Sequence, residues 1–373
     1  MTDPEDKYSA QRPGSSRAEA LRVLRAWRDG RPYEPSTAKA PTVKDTASRD
    51  AAPQDSTSPS PIREHPPKVS VALLTKNGEA TLPDLLDALW KQKGATPLEI
   101  VAVDSGSTDR TRGILQERVQ SLVAIDPGTF NHGLTRNLAI EQTTGDLVVL
   151  IVQDAVPTSD EWLEHLIAPL LADVTVAGTF ARQVPRPEAS AITRHYLAEW
   201  VGAAEESWFS EIAGDAEWQA ITPQERCWRC VFDNVCSCIR RSVWTAHPFA
   251  ETTIAEDVEW ARDVLLDGHR IVYTPEATVL HSHERSARYE FQRTYLLHRR
   301  LWELFGLQTI PTLPLAWRAV TSSLALHLRY EEPRPALWPH AAALAVAWPA
   351  GQYLGARAAV HGRPLPRWRP GTV

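Results

Sequence analysis

The sequence predicts an α/β protein whose mostly parallel sheet is flanked by helices. Between residues 69 and 152, short apolar segments rich in β-branched residues alternate with segments whose leucines recur at helical spacing. These strand segments are apolar throughout, as expected of parallel strands that helices cover on both faces. Polar loops follow the strands, and such sheets bind ligands outside the carboxyl ends of their strands. The pattern therefore predicts both a core and a ligand-binding edge.

The elements of the first half follow from these patterns. Leu82, Leu85, Leu86 and Leu89 predict the first helix, because residues i, i+3, i+4 and i+7 share one helix face, and Gly94 is its expected stop. The predicted strands are Val69–Leu74, Leu98–Val103, Leu122–Ile125 and Leu147–Val152, and the next two predicted helices are Thr108–Val119 and Leu134–Gln142.

The second half has a less regular pattern. The predicted elements are a strand over Cys230–Ile239, a helix over Glu256–Leu266 that Gly268 ends, and short strands over Arg270–Tyr273 and Thr278–Leu280. After Arg288 the chain is predicted to be largely helical, and its prolines are expected to break it into pieces. These prolines are Pro311, Pro314, Pro333 and Pro339.

Composition divides the chain of 373 residues into three parts. Residues 1–66 are poor in aromatic residues and rich in Pro, Ser and Thr, which predicts a disordered tail and linker with one short helix over Ser16–Asp29. A docking arm that folds on a partner is the alternative for this tail. Residues 67–290 form the predicted α/β domain, and residues 291–373 form a predicted helical C-terminal extension.

Composition also argues against several classes of protein. A net charge of −6, from 40 basic and 46 acidic residues, argues against a nucleic-acid-binding protein. The four cysteines lie between Cys227 and Cys238, unlike those of a disulfide-stapled secreted scaffold. Residues 1–6 are acidic and lack the apolar core of a signal peptide, and no apolar run of about 18 residues predicts a spanning helix. We therefore expect a cytoplasmic protein.

The ligand site is expected at three polar loops, 75–78, 104–109 and 153–154, each of which follows a strand. The dinucleotide fingerprint G-x-G-x-x-G and the P-loop are both missing, which excludes two common nucleotide sites. Two strand-end carboxylates remain, Asp104 and Asp154. One such group can accept hydrogen bonds from a base or ribose, and another can hold a divalent cation against a diphosphate. Alternatively, each Asp is a turn residue or helix cap.

Several segments in register resemble glycosyltransferase family 2, the inverting enzymes of GT-A fold, and within it the rhamnosyltransferase-like branch. The segments are 69–92, 103–109 (VDSGSTD), 130–137 (FNHGLTRN), 152–157 (VQDAVP), 182–186 (RQVPR), 234–241 (NVCSCIRR), 255–257 (AED) and 281–283 (HSH). The resemblance covers about residues 69–295. It implies a GT-A type Rossmann-like sheet, mostly parallel and flanked by helices.

The resemblance implies a nucleotide-sugar site along the first four strands. Asp104 would contact the base or ribose. Arg136 would contact the diphosphate, since a guanidinium matches phosphate oxygens in a bidentate manner. A surface helix arginine is the alternative for Arg136. The implied nucleotide-sugar-binding residues are Thr75, Asn77, Asp104, Ser107, Asn131, His132, Gly133, Arg136 and Gln153.

The family's Asp-x-Asp metal motif is incomplete in this chain, because Val152 stands at the first Asp position and leaves Asp154 alone. The resemblance implies that His281 and His283 supply further ligation, and alternate residues of a strand face the same side. Imidazole suits Mn²⁺ better than Mg²⁺, and either divalent metal stays open as the cofactor. The alternative is an ordinary pair of core or surface histidines.

The Glu-Asp pair at Glu256 and Asp257 supplies the implied catalytic residues. Asp257 would take the proton of the acceptor hydroxyl, and Glu256 would orient the acceptor. The dipole at the start of a helix is expected to favour the ionised form of Asp257. The alternative is that both residues only cap and charge the first turn. The implied acceptor-binding residues are Asn234 and Trp260.

Two further features have alternative interpretations. The four cysteines have spacings that could ligate zinc, but the short gap between the two pairs and the family pattern favour buried free thiols. After Glu332 the chain has five arginines and no acidic residue, with a broken apolar stretch over Ala341–Val360. This extension either makes peripheral contact with an anionic membrane or packs on the protein body or a second subunit.

Together these features predict an inverting, metal-dependent glycosyltransferase of polysaccharide biosynthesis. It would move rhamnose from dTDP-rhamnose to a glycan or lipid-linked glycan acceptor. One alternative is the same fold with a UDP-sugar donor. Another is a non-catalytic nucleotide-sugar or glycan-binding module, which the incomplete metal motif keeps open. The expected location is the cytoplasm, with the inner face of the plasma membrane and a homo-oligomeric state as further options.

Overall fold

The computed structural model describes residues 67–93, 98–330, 338–366 and 368. The described residues from Lys68 onwards form one compact unit. The predicted tail with its helix over Ser16–Asp29, the stop at Gly94 and the break at Pro333 lie outside the described residues. The predicted boundary between residues 290 and 291 stays a prediction.

Nine strands in the described part of the chain form one mixed sheet in the order β3-β2-β1-β4-β8-β6-β9-β5, with β7 paired to β9. The strands are β1 (Val69–Thr75), β2 (Glu99–Asp104), β3 (Ser121–Ala124), β4 (Leu147–Val152), β5 (Val156–Pro157), β6 (Val176–Val184), β7 (Trp208–Ser210), β8 (Cys236–Arg240) and β9 (Arg270–Leu280). The pairs β3-β2, β2-β1, β1-β4 and β6-β9 are parallel, and β8 runs antiparallel between β4 and β6. The predicted class, a mostly parallel sheet flanked by helices, is confirmed.

Helices complete the described structure. They are α1 (Leu82–Trp90), α2 (Thr111–Arg118), α3 (His132–Glu141), α4 (Trp162–Ala172), α5 (Ala191–Ala198), α6 (Asp215–Ala220), α7 (Pro223–Arg229), α8 (Arg241–Ala246), α9 (Glu256–Leu266), α10 (Ala287–Phe305), α11 (Leu313–Tyr330) and α12 (Trp338–Val360). The leucine face predicted for α1 is confirmed, because all four of its leucines are buried. Each fully buried leucine contributes about 1.5–3 kcal/mol of hydrophobic stabilisation.

The core has two layers, one on each face of the sheet. Val71 and Leu73 of β1 pack in the layer that contains α1 and α4. Ala72, between them, packs in the opposite layer with Ala261 of α9 and Ile140 of α3. This alternation follows from the two-residue period of a strand, and it explains why the central strands are apolar at nearly every position.

Two predictions in the second half are wrong. A helix, α7, occupies Pro223–Arg229, and the strand predicted from Cys230 begins only at Cys236. Thr222 begins α7 with a capping box that pairs it with Glu225, a signal that the cysteine spacing obscured. The two short strands predicted over 270–280 are one strand, β9. Its register against β6 shifts beyond Thr274, where Pro275 has no N–H to donate.

The chain after Arg288 is largely helical and divided into pieces, as predicted, with Pro311 in the break between α10 and α11. Pro314 and Pro339 are the second residues of α11 and α12, where a missing backbone N–H costs nothing, and α12 continues through Pro349. Gly355 of α12 lies so close to α10 that a Cβ there would be 2.1 Å from the Tyr295 carbonyl oxygen. The apolar stretch in α12 therefore packs on the protein body, which is one of the two alternatives offered for it. No helix among the described residues is long and apolar enough to cross a membrane.

Candidate active site

The topology brings the predicted site residues to one edge of the sheet. The parallel strands β1, β2 and β4 end at this edge, as do β6 and β9, which run in the same direction because β8 is antiparallel to both β4 and β6. Since β8 runs the opposite way, the loop that precedes it reaches the same edge. The site is therefore built from five strand ends, one strand start, and the first turns of α3 and α9.

The loops after β1 and β2 form a connected hydrogen-bonded platform. The Asp104 carboxylate is fully buried and accepts hydrogen bonds from Gly106 N (3.2 Å), Ser107 N (3.0 Å), the Ser107 hydroxyl and Thr75 Oγ1 (3.3 Å). Asn77 links the two loops, because its N–H donates to Ser107 Oγ at 2.8 Å and its Oδ1 accepts from Thr108 N at 2.9 Å. The predicted nucleotide-binding residues of these loops therefore do lie together, and the platform holds them rigidly.

Gln153, the residue after β4, ties this strand to the loop after β1. Its Oε1 accepts from Lys76 N at 2.8 Å, and its Nε2 donates to Lys76 O at 2.9 Å. A Cβ at Gly78 would lie 2.4 Å from Gln153 Oε1, so glycine is the residue that permits this contact. The Gln153 amide thus orders the loop beside the metal ligands predicted at the end of β4.

The start of α3 carries three of the predicted residues. Asn131 begins the helix, and its Oδ1 accepts from Leu134 N at 3.1 Å. A Cβ at Gly133 would lie 1.9 Å from the Ala250 carbonyl oxygen, so this glycine lets the 249–254 loop approach the helix. Burial lowers the pKa of His132, which packs edge-on against Phe130. A neutral imidazole therefore stands beside the helix start.

Arg136 of α3 forms a buried ion pair with Glu256 of α9. Its Nε donates to Glu256 Oε1 at 2.8 Å, and both side chains are almost inaccessible to solvent. Arg136 Nη1 has no hydrogen-bond partner among the described residues. Burial is the largest single influence and acts to raise the pKa of Glu256, but the charges of Arg136 and His132 and the hydrogen bonds to the carboxylate together outweigh it, so the net direction is down. The alternative of a surface helix arginine is therefore wrong, and the Nη1 group of Arg136 is a buried donor without a partner among the described residues.

Asp257 lies beside this ion pair in a different electrostatic setting. Its Oδ1 accepts from Val258 N at 2.8 Å and its Oδ2 from Asn234 N at 3.3 Å, and the side chain stays partly accessible. Burial, together with the neighbouring carboxylates of Glu256 and Asp233, raises the pKa of Asp257 to about 8. The expectation that the helix dipole would keep Asp257 ionised is therefore wrong for the free protein. Burial and like charges outweigh the dipole.

The backbone at the start of α9 is unusual. Ala255, which precedes the Glu-Asp pair, adopts a left-handed conformation with φ of 61°. This conformation costs an alanine about 1–2 kcal/mol and is found where surrounding structure enforces it. It turns the chain directly into α9, so that Glu256 and Asp257 both fall in the first turn.

Asp154, His281 and His283 form a candidate metal centre. Their ligating atoms lie within 4.8 Å of one another. Asp154 Oδ1 is 3.9 Å from His281 Nε2, and Asp154 Oδ2 is 3.3 Å from His283 Nε2. Burial lowers the pKa of both histidines, so each ring presents a neutral nitrogen to a cation. One carboxylate and two imidazoles fit Mn²⁺ better than Mg²⁺, which prefers oxygen ligands.

The sequence interpretation missed two residues of this region, Gln183 and Asp233. Gln183 Oε1 lies 2.7 Å from His281 Nδ1, and Gln183 Nε2 donates to Asp233 Oδ2 at 2.8 Å. Both residues were visible as polar residues inside or next to motif segments, at the end of β6 and in the loop before β8. Their contacts join strands far apart in the sequence, which no local pattern reveals.

The chain matches the family model "Glycosyl transferase family 2" over residues 70–241. It is 32% identical over 233 residues to the O-antigen chain rhamnosyltransferase RfbN of Salmonella typhimurium, a match that covers 61% of this chain and 70% of that protein. This protein belongs to glycosyltransferase family 2. The family-2 enzyme is also 33% identical over 234 residues to the O-antigen chain rhamnosyltransferase WbaN of Salmonella anatum, with 61% of this chain and 70% of that one covered.

Among solved structures, the family-2 enzyme is similar to the mannosyltransferase PcManGT of Pyrobaculum calidifontis, determined with GDP-Man and Mn²⁺. The TM-score is 0.48 at 22% identity, and the match covers 92% of this chain and 90% of that chain.

Trp260 of the family-2 enzyme belongs to the core, which corrects the prediction that it binds the acceptor. Its side chain is 2% exposed, packs between Phe232 and Phe249, and donates its indole N–H to His247 O at 2.9 Å. Asn234, the other predicted acceptor residue, lies at the site. Its backbone N–H binds Asp257, and its side-chain oxygen accepts from Ser237 Oγ at 2.8 Å.

The four cysteines lie apart from the candidate metal centre. Cys236 and Cys238 of β8 and Cys230 are buried in the core layers as free thiols, and Cys227 is partly buried. Burial raises the pKa of Cys227 to about 11 and also raises that of the other three. Metal ligands must be thiolates, so these environments oppose zinc binding and favour the predicted free thiols.

Proposed function

We propose that this glycosyltransferase moves rhamnose from dTDP-rhamnose to a glycan acceptor with inversion at the anomeric carbon. The observation that carries the proposal is the placement of Asp257, a partly accessible carboxylate with a pKa of about 8, at the same sheet edge as the Asp154–His281–His283 cluster. A base and a site for diphosphate charge at one edge are the two requirements of glycosyl transfer. The names of the two Salmonella relatives support rhamnose as the sugar.

Donor binding is assigned to the platform and to the neighbouring cluster. The loops held by Asn77 and Asp104 would receive the nucleoside, and Asp154, His281 and His283 would hold the cation. A cation held by these residues would supply positive charge against the departing diphosphate. Arg136 Nη1 is a buried donor without a protein partner, and a diphosphate oxygen would satisfy it.

Asp257 is assigned as the general base. As the acceptor oxygen forms its bond to the anomeric carbon, the acceptor O–H proton passes to the Asp257 carboxylate. The bond between the anomeric carbon and the diphosphate oxygen breaks, and its electron pair leaves with the nucleoside diphosphate. A raised pKa suits this role, because proton transfer is most effective when the pKa of the base lies near the working pH. Glu256, engaged with Arg136, is assigned a positioning role instead of direct acceptor contact.

A donor panel tests this proposal. Nucleoside diphosphate release is measured with dTDP-rhamnose, UDP-glucose, UDP-galactofuranose and GDP-mannose, each with Mn²⁺ and with a chelator, in the presence of a rhamnan or galactan oligosaccharide acceptor. Turnover highest with dTDP-rhamnose supports the proposal. Turnover with a UDP-sugar alone would show that the donor is a UDP-sugar instead of dTDP-rhamnose. Donor binding without turnover on any acceptor would favour the non-catalytic binding module.

We also propose that α11 makes peripheral contact with an anionic bilayer, where a lipid-linked acceptor would be presented. Leu313, Trp317 and Leu328 are highly exposed and lie on one stripe of α11, since spacings of 4 and 11 residues return to the same helix face. Arg318 and Arg329 are also exposed, and α11 has no acidic residue. This surface combines apolar and basic groups, as anionic interfaces require. It differs from the predicted one, since α12 packs against α10.

Vesicle sedimentation tests this surface. The variant Arg318→Gln/Arg329→Gln should bind phosphatidylglycerol vesicles more weakly than the wild type by roughly 1 kcal/mol per arginine, and wild-type binding should fall with salt. The matched control Lys91→Gln/Arg112→Gln removes the same charge from exposed positions at the end of α1 and in α2 and should not alter binding. A wild type that ignores the vesicles and forms a dimer abolished by Trp317→Ser would assign the face to a second copy instead.

A further inference from the structure

We infer that Gln183 is a positioning residue that fixes which ring nitrogen of His281 is free to ligate a cation, and that Asp233 fixes the orientation of Gln183. The inference rests on the proposed metal centre and concerns residues that touch neither sugar nor nucleotide. Gln183 comes from the end of β6, Asp233 from the loop before β8, and His281 from the segment after β9. Residues that follow β9, end β6 and precede β8 are thus joined in one chain of hydrogen bonds.

The contacts define this chain of hydrogen bonds from the inside outwards. Asp233 Oδ1 accepts from Val235 N at 2.8 Å, which fixes the carboxylate, and its Oδ2 accepts from Gln183 Nε2 at 2.8 Å. Gln183 Oε1 then lies 2.7 Å from His281 Nδ1. Gln183 and His281 are both buried, so water does not compete for these groups. The opposite ring nitrogen, His281 Nε2, is the atom that faces Asp154 at 3.9 Å.

The chemistry of the three groups selects one tautomer. Burial raises the pKa of Asp233, but the hydrogen bonds from Val235 N and from Gln183 Nε2 both favour its ionised form. The ionised carboxylate only accepts hydrogen bonds, so in this form Asp233 requires the NH₂ group of Gln183. The carbonyl oxygen of Gln183 must then face His281, and it accepts only if Nδ1 carries the proton. Nε2 consequently keeps its lone pair, which is the form that ligates a metal.

The reversed amide shows why both partners are needed. With its NH₂ group towards His281, Gln183 would donate to Nδ1, and the proton of the neutral ring would move to Nε2. A protonated Nε2 cannot ligate a cation. The same rotation would place the carbonyl oxygen of Gln183 against the Asp233 carboxylate, where two acceptors repel each other. Asp233 therefore opposes the form of the site that is unable to bind metal.

The test combines nitrogen NMR with metal titration on the full chain. In the metal-free wild type, the ¹⁵N shifts of His281, assigned with His281→Gln, should report the Nδ1–H tautomer. Gln183→Leu should convert His281 to a mixture of tautomers and weaken Mn²⁺ binding, followed by the EPR signal of free Mn²⁺, by about 10–100-fold. Gln183→Glu combined with Asp233→Asn keeps an acceptor for Nδ1–H and restores a donor at position 233, so this double variant should retain more of the affinity than Gln183→Leu.

Gln92→Leu is the matched control. Gln92 is a buried glutamine that makes three hydrogen bonds, to Ala88 O, Ser159 O and Leu163 N, away from the candidate centre. Its loss should lower the melting temperature without changing Mn²⁺ affinity or the His281 tautomer. An Nε2–H tautomer in the wild type, or a Gln183→Leu variant with wild-type tautomer and Mn²⁺ affinity, would overturn the inference. A wild type with the Nδ1–H tautomer that binds no Mn²⁺ would refute the proposed metal centre but not the hydrogen-bond assignment.

Discussion

The two halves of the site edge use polar residues in opposite ways. In the platform after β1 and β2, Asp104, Ser107 and Asn77 satisfy one another through short-range hydrogen bonds. In the cluster around β8 and α9, Asp233, Glu256 and Asp257 are neighbouring acidic groups, and Arg136 forms an ion pair with Glu256. The polar groups of the platform therefore satisfy one another, whereas the neighbouring carboxylates of the cluster repel one another. This difference agrees with the proposed division of roles, in which the platform binds the donor and the cluster supplies the base.

The largest expected effect is on the repulsive cluster. Asp257→Asn should lower glycosyl transfer by about 10²–10⁴-fold while donor binding persists, because it removes a positioned proton acceptor. The same variant should be more stable than the wild type at pH 7 by on the order of 1 kcal/mol. Turnover and thermal melting measure both quantities. Near wild-type turnover would remove Asp257 from the mechanism, and a loss of stability would contradict the repulsion among the carboxylates.

The sign of that stability change follows from linkage. With a folded pKa of about 8 and an ordinary value of 3.8, folded Asp257 holds a proton between those pH values that the unfolded chain releases. Its contribution to stability therefore falls as pH rises from about 4 to 8 and is constant above that range. Asp257→Asn should flatten the fall in stability over this window.

Removal of the metal ligands should produce the next largest effect. Asp154→Ala and a chelator should each lower turnover by about 100-fold and weaken donor binding, since charge compensation by a cation is worth several kcal/mol. Combining the two should add little, because both act on the same group. Full turnover of the wild type in a chelator would show that the cluster has a role other than metal binding.

The pH dependence of kcat/KM tests the role of the acidic cluster separately from that of the platform. Below about pH 8, kcat/KM should rise close to tenfold per pH unit as Asp257 loses its proton. Asp233→Asn should move this rise to lower pH, because it removes one of the carboxylates that raise the pKa of Asp257. A profile that is flat from pH 6 to 9 in the wild type would argue against Asp257 as the titrating base.

The smallest expected effect concerns the platform. Asn77 has φ of 50°, a conformation that costs a residue with a Cβ about 1–2 kcal/mol more than glycine. Asn77→Ala should therefore lower the free energy of unfolding by about 1 kcal/mol more than Asn77→Gly, although both lose the bond to Thr108 N. Denaturant unfolding measures the difference. Equal losses would show that hydrogen bonding, not backbone conformation, dominates at this position.

The secondary structure was predictable where local rules decide it. The strand at Leu147–Val152 and the helix at Glu256–Leu266 have the predicted bounds. The strand expected over Cys230–Ile239 begins only at Cys236, because Cys230 is the C-terminal cap of α7 and the residues between the two elements form a loop. The two short strands expected around Pro275 failed because a register shift lets one strand pass the proline. In both cases the prediction followed one strong local pattern, the alternating cysteines or the proline. It gave too little weight to a neighbouring pattern, the capping box at Thr222 or the continuing strand.

The sequence by itself determined the alternating core, the sheet edge at which the candidate site lies and the family, because apolar periodicity and short motifs are local properties. Only the tertiary structure decided that Arg136 pairs with Glu256, that Trp260 lies in the core, and that Gln183 and Asp233 connect to His281. These contacts join residues that are 50 or more positions apart, except Trp260, whose burial depends on packing from both sides. The raised pKa of Asp257 is also a feature that only the tertiary structure decided. Burial and the neighbouring carboxylates that set it exist only when the strand ends meet, and the helix dipole, a local property, predicted the opposite sign.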